Sequence, residues 1–196
     1  MTLERLRGVL AAHRPGGVPL ELPDPDGRPH GELTRAAVLV PLFEHAGEAY
    51  VLLTRRRGDL RRHAGQVSFP GGRIEPGEEP LHAALRESHE EVGLDPARVE
   101  VFGCLDETLV LATGFRLTPW VGRVPYPYPY AAHPGEVETI LYVPIAELLR
   151  PGVHHTERRH VFGAMREVHF YQLPAVTIWG ATGRVLNQLL TVWSAP

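Results

Sequence analysis

Lysine is absent from the 196 residues, so all 20 basic side chains are arginine. Every cation available to grip a phosphate is therefore a planar, permanently charged fork. Cysteine occurs once, at Cys104, which excludes an intramolecular disulfide and any site built from several thiolates. A reducing compartment is the simpler setting. Long apolar runs are missing too: no stretch approaches the roughly 18 residues that a membrane-spanning helix needs. The opening MTLERLRGVLAAH carries Glu4, Arg5 and Arg7 where a secretory signal requires an unbroken apolar core, so the expected location is the cytoplasm, without a membrane partner. Nor is there a surplus of positive charge. The formal charge of −3 counts against a general nucleic-acid binder and leaves a small molecule as the expected partner.

What is present reads as an ordinary globular chain, with 43% hydrophobic and 22% charged residues, long enough to bury one core. One domain over 1–196 is expected, with its core over about 33–172 and helical additions at both ends. Leu3, Leu6, Val9 and Leu10 fall at helical spacing and predict a helix over 3–12, followed by a connector from Pro15 to Gly31. Residues 34–43 and 48–55 are apolar and β-branched and predict a hairpin joined at 44–47. A short strand at 66–69 precedes Pro70-Gly71-Gly72, which forces a turn. Over 80–92 the pattern predicts a helix, with Pro80 in its first turn, Gly93 at its C-cap, and Leu81, Ala84, Leu85 and Ser88 as its apolar stripe. Further strands are expected at 98–105, 115–123, 137–143 and 166–172, and short helices at 144–149 and 182–193. The Pro125–Tyr130 segment reads as a stiff extended loop. Hairpins mixed with a few helices indicate an α/β fold, a mixed sheet sandwiched by helices.

The 80–92 helix carries the chemistry. Glu87, Glu90 and Glu91 lie three and four residues apart, so their carboxylates crowd one face at about 5–6 Å between Cβ atoms. A hard divalent cation relieves that repulsion, since Mg²⁺ prefers oxygen ligands and keeps positions for water and phosphate. Arg86, eight residues after Glu78 and four before Glu90, is placed to orient one of these carboxylates. Reading from Gly72, the chain gives glycine, five residues, Glu78, seven residues, then Arg86-Glu87-Ser88-His89-Glu90-Glu91-Val92-Gly93-Leu94. This resembles the Nudix box, whose chance occurrence has odds on the order of one in a million at ordinary residue frequencies. Ser88 stands where the box usually has a bulky aliphatic residue, and is expected to loosen packing there. The resemblance implies a Nudix α/β/α sandwich and a pyrophosphohydrolase using Mg²⁺, with Mn²⁺ as substitute. It implies Glu87, Glu90 and Glu91 as metal ligands, and Glu136 as a further ligand or base. A bare solvated helix face, or a scaffold without metal, is the alternative for the charge cluster.

Upstream, residues 52–72 read LLTRRRGDLRRHAGQVSFPGG. This is similar to a second signature of the coenzyme A pyrophosphatase branch, matching at Leu52, Leu53, Thr54, Arg56, Arg61, Gly65, Phe69, Pro70, Gly71 and Gly72; Arg57 departs from the usual serine or alanine. The resemblance implies cleavage of coenzyme A or its derivatives to 3′,5′-ADP and 4′-phosphopantetheine. ADP-ribose or another nucleoside-diphosphate derivative is the alternative substrate. Arg55, Arg56, Arg57, Arg61 and Arg62 suit a phosphate-rich ligand, and about two or three of them are expected to reach it. Arg55, Arg56, Arg61, Gly71 and Gly72 are the candidate substrate-binding residues. An RNA-binding patch is the reading from a different class, opposed by the net charge and the lack of interleaved aromatics. His154, His155 and His160 could suggest a metal, but no cysteine or carboxylate cluster completes it, and a solvated loop is expected.

Overall fold

The computed structural model describes residues 1–16, 33–59, 65–110, 114–161 and 164–195. Along the chain come α1 (Leu3–Ala12), β1 (Thr34–His45), β2 (Glu48–Arg56), β3 (Val67–Ser68), β4 (Gly71–Arg73) and α2 (Pro80–Val92). Then follow β5 (Glu100–Cys104), β6 (Thr108–Val110), β7 (Phe115–Arg123), β8 (Val137–Pro144), α3 (Ile145–Leu148), β9 (His154–Val161), β10 (Ala164–Leu173), β11 (Val176–Trp179) and α4 (Gly180–Ser194).

β1 organises the main sheet. It pairs antiparallel with β2 and β4 and parallel with β7, giving the order β3-β2-β1-β7-β5, while β8 joins β2 and β6 joins β7. All of Ala36–Phe43 is buried, an unbroken run that only a strand covered on both faces can sustain. Val38, Val40 and Leu42 enter a core shared with Leu6, Leu53, Tyr171, Leu186 and Leu189. Ala37, Leu39 and Phe43 enter a second core with Leu52, Ala83, Ala84 and Val92 of the α2 side. Helices thus flank the mixed sheet, α2 on one face and α1 with α4 on the other. Each fully buried leucine of α4 contributes about 1.5–3 kcal/mol of transfer free energy to this arrangement.

A second, three-stranded antiparallel sheet, β11-β10-β9, packs with α4. Thr182 at the start of α4 donates to the Val67 carbonyl at 2.9 Å and so fastens this unit to β3.

Several expectations are corrected. The stretch from His154 is strand β9 and not a loop, and β6 and β11 are strands that periodicity does not show. Pro96–Arg98 is a 3-10 turn before β5, and α4 begins at Gly180. Gly71 and Gly72 lie within β4, paired with Val38 and Ala37, so their role is close approach and not only turning. The buried stripe of α2 is Ala83, Ala84, Ser88, Glu91 and Val92; Leu81 and Leu85 are only half-buried. Ser88 is fully buried, and its hydroxyl donates to the Ala84 carbonyl at 2.6 Å, which satisfies the polar group inside the helix itself. Among the described residues no helix is long and apolar enough to cross a membrane.

Candidate active site

α2 ends where its sequence requires. Gly93 takes a left-handed φ of 69° and donates its N–H to the His89 carbonyl. Tyr128 of the proline-tyrosine loop clamps this end: its hydroxyl accepts from the Asp95 N–H at 3.0 Å and donates to the Gly93 carbonyl at 3.2 Å. The same loop then hydrogen-bonds the last turn through Ala131 to Val92 and His133 to Glu91. It delivers Glu136 to the end of β2, where the Arg57 N–H donates to the Glu136 carbonyl at 3.0 Å. Nothing in the sequence identifies this clamp beyond the tyrosines themselves.

Arg86 is the hub of one half of the site. Its Nε and Nη2 take the two oxygens of Glu78 at 2.9 and 3.1 Å, Nη1 reaches Glu87 at 3.0 Å and Glu90 at 3.5 Å, and Nη2 also donates to the Arg73 carbonyl at 3.1 Å. The Arg86 guanidinium, with the Glu75 N–H, holds the Glu78 carboxyl below the usual range. Glu87 is pushed upward by burial, against the pull of Arg86, and Glu90 and Glu136 add to the push. Glu90 stays exposed. Gly72 makes room here, since a Cβ on it would lie 2.4 Å from the Glu87 carboxyl carbon.

Glu91 lies in the other half, with a side chain only 4% exposed. Its carboxylate accepts the Gly71 N–H at 3.2 Å and faces Arg56 Nη1 at 3.5 Å. Burial, with smaller pushes from the neighbouring Glu136 and Glu87, outweighs the pull of Gly71 and Arg56 and raises it to about 8. Arg56 also stands 3.8 Å from Glu136, whose side chain is half exposed. Gly71 can be nothing larger. Its φ of 150° and an imagined Cβ 2.4 Å from the Ala37 carbonyl both require glycine.

The five arginines of the upstream segment divide. Leu52 and Arg56 of β2 project to the α2 face, whereas Leu53 and Arg55 project to the opposite one. There Arg55 donates to the Ala175 carbonyl at 3.1 Å, between β10 and β11, so it does not join the carboxylates. Arg57 grips Asp59 through two bonds and the Pro134 carbonyl through a third. The register with β8 shifts between Arg55 and Arg56, which pair with Thr139 and Val137 and leave Glu138 over. Arg61 and Arg62 lie outside the described residues. Two of the three histidines of β9 pack on rings: His155 stacks on Phe170, and His154 stacks on Tyr171 and shares a 3.1 Å hydrogen bond with His169, while His160 is exposed.

Glu78, Arg86, Glu87, Glu90, Glu91, Arg56, Glu136, Gly71 and Gly72 thus meet at one place. Among the described residues no three His, Cys, Asp or Glu side chains already converge as a finished metal cage. Glu87 and Glu90 lean on Arg86, while Glu91 leans on Gly71. The donor set nevertheless fits a hard divalent cation, because it is all carboxylate oxygen and its most buried member is unstable as an anion without added positive charge.

Comparison with known proteins agrees with this geometry. The model of the NUDIX domain matches residues 33–163. A protein named Uncharacterized Nudix hydrolase NudL from Cronobacter sakazakii is 40% identical over 156 residues, covering 79% of this chain and 80% of the relative. One of the same name from Photorhabdus laumondii is 38% identical over 171 residues, covering 87% and 90%. Two solved structures share the fold. The Nudix hydrolase RenU from M. smegmatis matches with a TM-score of 0.51 and 23% identity over 66% of this chain and 84% of that one. A MutT/nudix family protein from Enterococcus faecalis matches with a TM-score of 0.53 and 18% identity over 89% and 70%. The chain therefore belongs to the Nudix hydrolase family, whose members are enzymes that act on pyrophosphate bonds.

Proposed function

We propose that the protein hydrolyses the phosphoanhydride of coenzyme A or its derivatives, water and substrate giving 3′,5′-ADP and a 4′-phosphopantetheine species. One observation carries this reading. Residues of the upstream signature are built into the carboxylate site, Arg56 and Gly71 touching Glu91 and Gly72 making room for Glu87. The segment that resembles the coenzyme A branch and the helix that resembles the Nudix box therefore form one surface.

Glu87, Glu91 and Glu90 would hold the divalent cation, Mg²⁺ or Mn²⁺. When bound it supplies Lewis-acid polarisation of the anhydride oxygens and a more acidic water. Arg86 positions Glu87 and Glu90 and keeps Glu78 ionised. Arg56 presents a guanidinium to the anionic substrate, and Glu136, half exposed at the rim, takes a proton from the attacking water. Arg61 is assigned to substrate binding on the signature alone. Arg55 is assigned away from the phosphates, because it points to the other face of β2.

The experiment is a panel of coenzyme A, dephospho-coenzyme A, ADP-ribose and NADH with Mg²⁺, read by product chromatography, and repeated in excess chelator. Coenzyme A is expected to give the highest kcat/KM, with turnover lost in chelator while the circular dichroism spectrum is unchanged. Preference for ADP-ribose would move the substrate assignment to the wider family. Turnover of none, with tight RNA binding instead, would replace hydrolysis by a binding module.

A further inference from the structure

Arg56 is the less settled of the two arginines in the site. Arg57 closes on Asp59 at 2.7 and 2.9 Å, and Arg86 closes on Glu78 at 2.9 and 3.1 Å, distances ordinary for charge-assisted bonds. Arg56 stays at 3.5 Å from Glu91 and 3.8 Å from Glu136, and its buried Nε has no acceptor among the described residues. Buried N–H groups without a partner are uncommon, and each calls for an explanation. What holds it is charge. Glu91 is enclosed on the sheet side of α2, and among the described residues its carboxylate is hydrogen-bonded by the Gly71 N–H and this guanidinium. Glu136 approaches the same guanidinium from the loop that ends on β8. Arg56 therefore stands between two carboxylates that come from opposite sides of the site, and it satisfies neither.

We propose that Arg56 is an internal counter-ion: in the metal-free protein it lends Glu91, with Glu136 beside it, the positive charge that a divalent cation on Glu91 would supply, and it is displaced toward the substrate when that cation arrives. The proposal rests on the reading of Glu91 as a metal ligand. Two consequences follow from competition between like charges for the same carboxylates. The guanidinium weakens binding of the cation, and binding of the cation frees the guanidinium, Nε included, to meet an incoming phosphate. Cation and anionic substrate then favour one another through a single side chain, and the coupling is reciprocal. A guanidinium suits this part because it stays charged when it leaves the carboxylates, and its fork matches a phosphate as well as a carboxylate.

The test is Mn²⁺ binding to the full chain without substrate, followed by electron paramagnetic resonance, in wild type, Arg56→Gln, Arg56→Lys and Glu91→Gln. Arg56→Gln is expected to bind Mn²⁺ about 5- to 150-fold more tightly than wild type, the usual range for two coupled sites. Arg56→Lys, which retains the charge, is expected within about threefold of wild type, which a purely packing role would not require. In the unsubstituted protein the Arg56 Nε resonance should shift with Mg²⁺ along the binding isotherm, a measurement independent of whether any variant folds. Equal or weaker Mn²⁺ binding by Arg56→Gln, or an Nε resonance indifferent to saturating Mg²⁺, overturns the counter-ion role even where Glu91→Gln shows that Glu91 binds metal. Mn²⁺ affinity unchanged by Glu91→Gln overturns the ligand assignment itself, and this inference with it.

Discussion

Arg86 and Arg56 bring the same guanidinium to the same group of glutamates, yet one arrives saturated and the other nearly empty-handed. Arg86 makes five hydrogen bonds to Glu78, Glu87, Glu90 and the Arg73 carbonyl. Among the described residues, Arg56 makes one long contact with Glu91, lies near Glu136, and buries an unmatched Nε. The saturated half is a frame, because groups whose bonds are complete gain little from a ligand. The unsaturated half keeps affinity in reserve, since a buried donor or acceptor without a partner costs about 1–3 kcal/mol that a ligand can return.

The sharpest way to break this comparison is to neutralise the carboxylates. Glu91→Gln and Glu87→Gln are each expected to lower kcat by about 100-fold or more, the scale on which transition-state charge stabilisation is lost. Their chelated forms should melt at or above the wild-type temperature, since burial already disfavours both anions. Near-normal turnover in both would show that neither half is catalytic.

The open half is tested next by Arg56→Gln. Losing a charged hydrogen bond to substrate should lower kcat/KM for coenzyme A by about 10- to 150-fold, and less for dephospho-coenzyme A. Equal losses on the two substrates would mean that Arg56 grips the shared diphosphate. Arg86→Gln should differ in kind. Breaking its bonds with Glu78 is expected to remove about 1–3 kcal/mol of stability in urea unfolding, along with activity. An unchanged unfolding midpoint would refute its framing role.

The two glycines sharpen the same contrast. Gly71→Ala meets backbone at 2.4 Å and a positive φ, so the expected loss is stability, about 1–3 kcal/mol or more. Gly72→Ala meets the far end of the Glu87 side chain, so the fold should survive while kcat falls. The smallest effect is expected at Arg55→Gln, with kcat/KM within about twofold of wild type, because its partner is the Ala175 carbonyl on the other face. A large loss there would mean that β2 does not divide its arginines as described.

Where a residue's role follows from spacing along one element, the sequence was readable. Glu87, Glu90 and Glu91 share a helix, and β1 and β2 announce themselves by apolar runs. Roles set across elements were not readable. Alternation on β2 separates Arg55 from Arg56, but only the packing of α2 on one face says which arginine reaches the carboxylates. β9 carries three histidines, two arginines and a glutamate in HHTERRHV, so it shows no apolar alternation. Its strand is stabilised instead by imidazole rings stacked on Phe170 and Tyr171. The stripe of α2 is legible at Ala84 and Ser88 but not at Ala83, because small alanines, and not Leu81 and Leu85, permit close approach to β1.

The one-residue shift between β2 and β8 decides which of two acids serves the site. Paired without interruption, Thr139 opposite Arg55 would set Glu138 opposite Arg56, and the loop carrying Glu136 would end one step further from it. With Glu138 left over, Val137 takes that place and is buried, while Glu136 comes within 3.8 Å of the guanidinium. The bulge works as a vernier, a single unit of offset that selects one carboxylate from a pair two residues apart. Chain length at this junction is thus as much a determinant of the site as the identity of either glutamate.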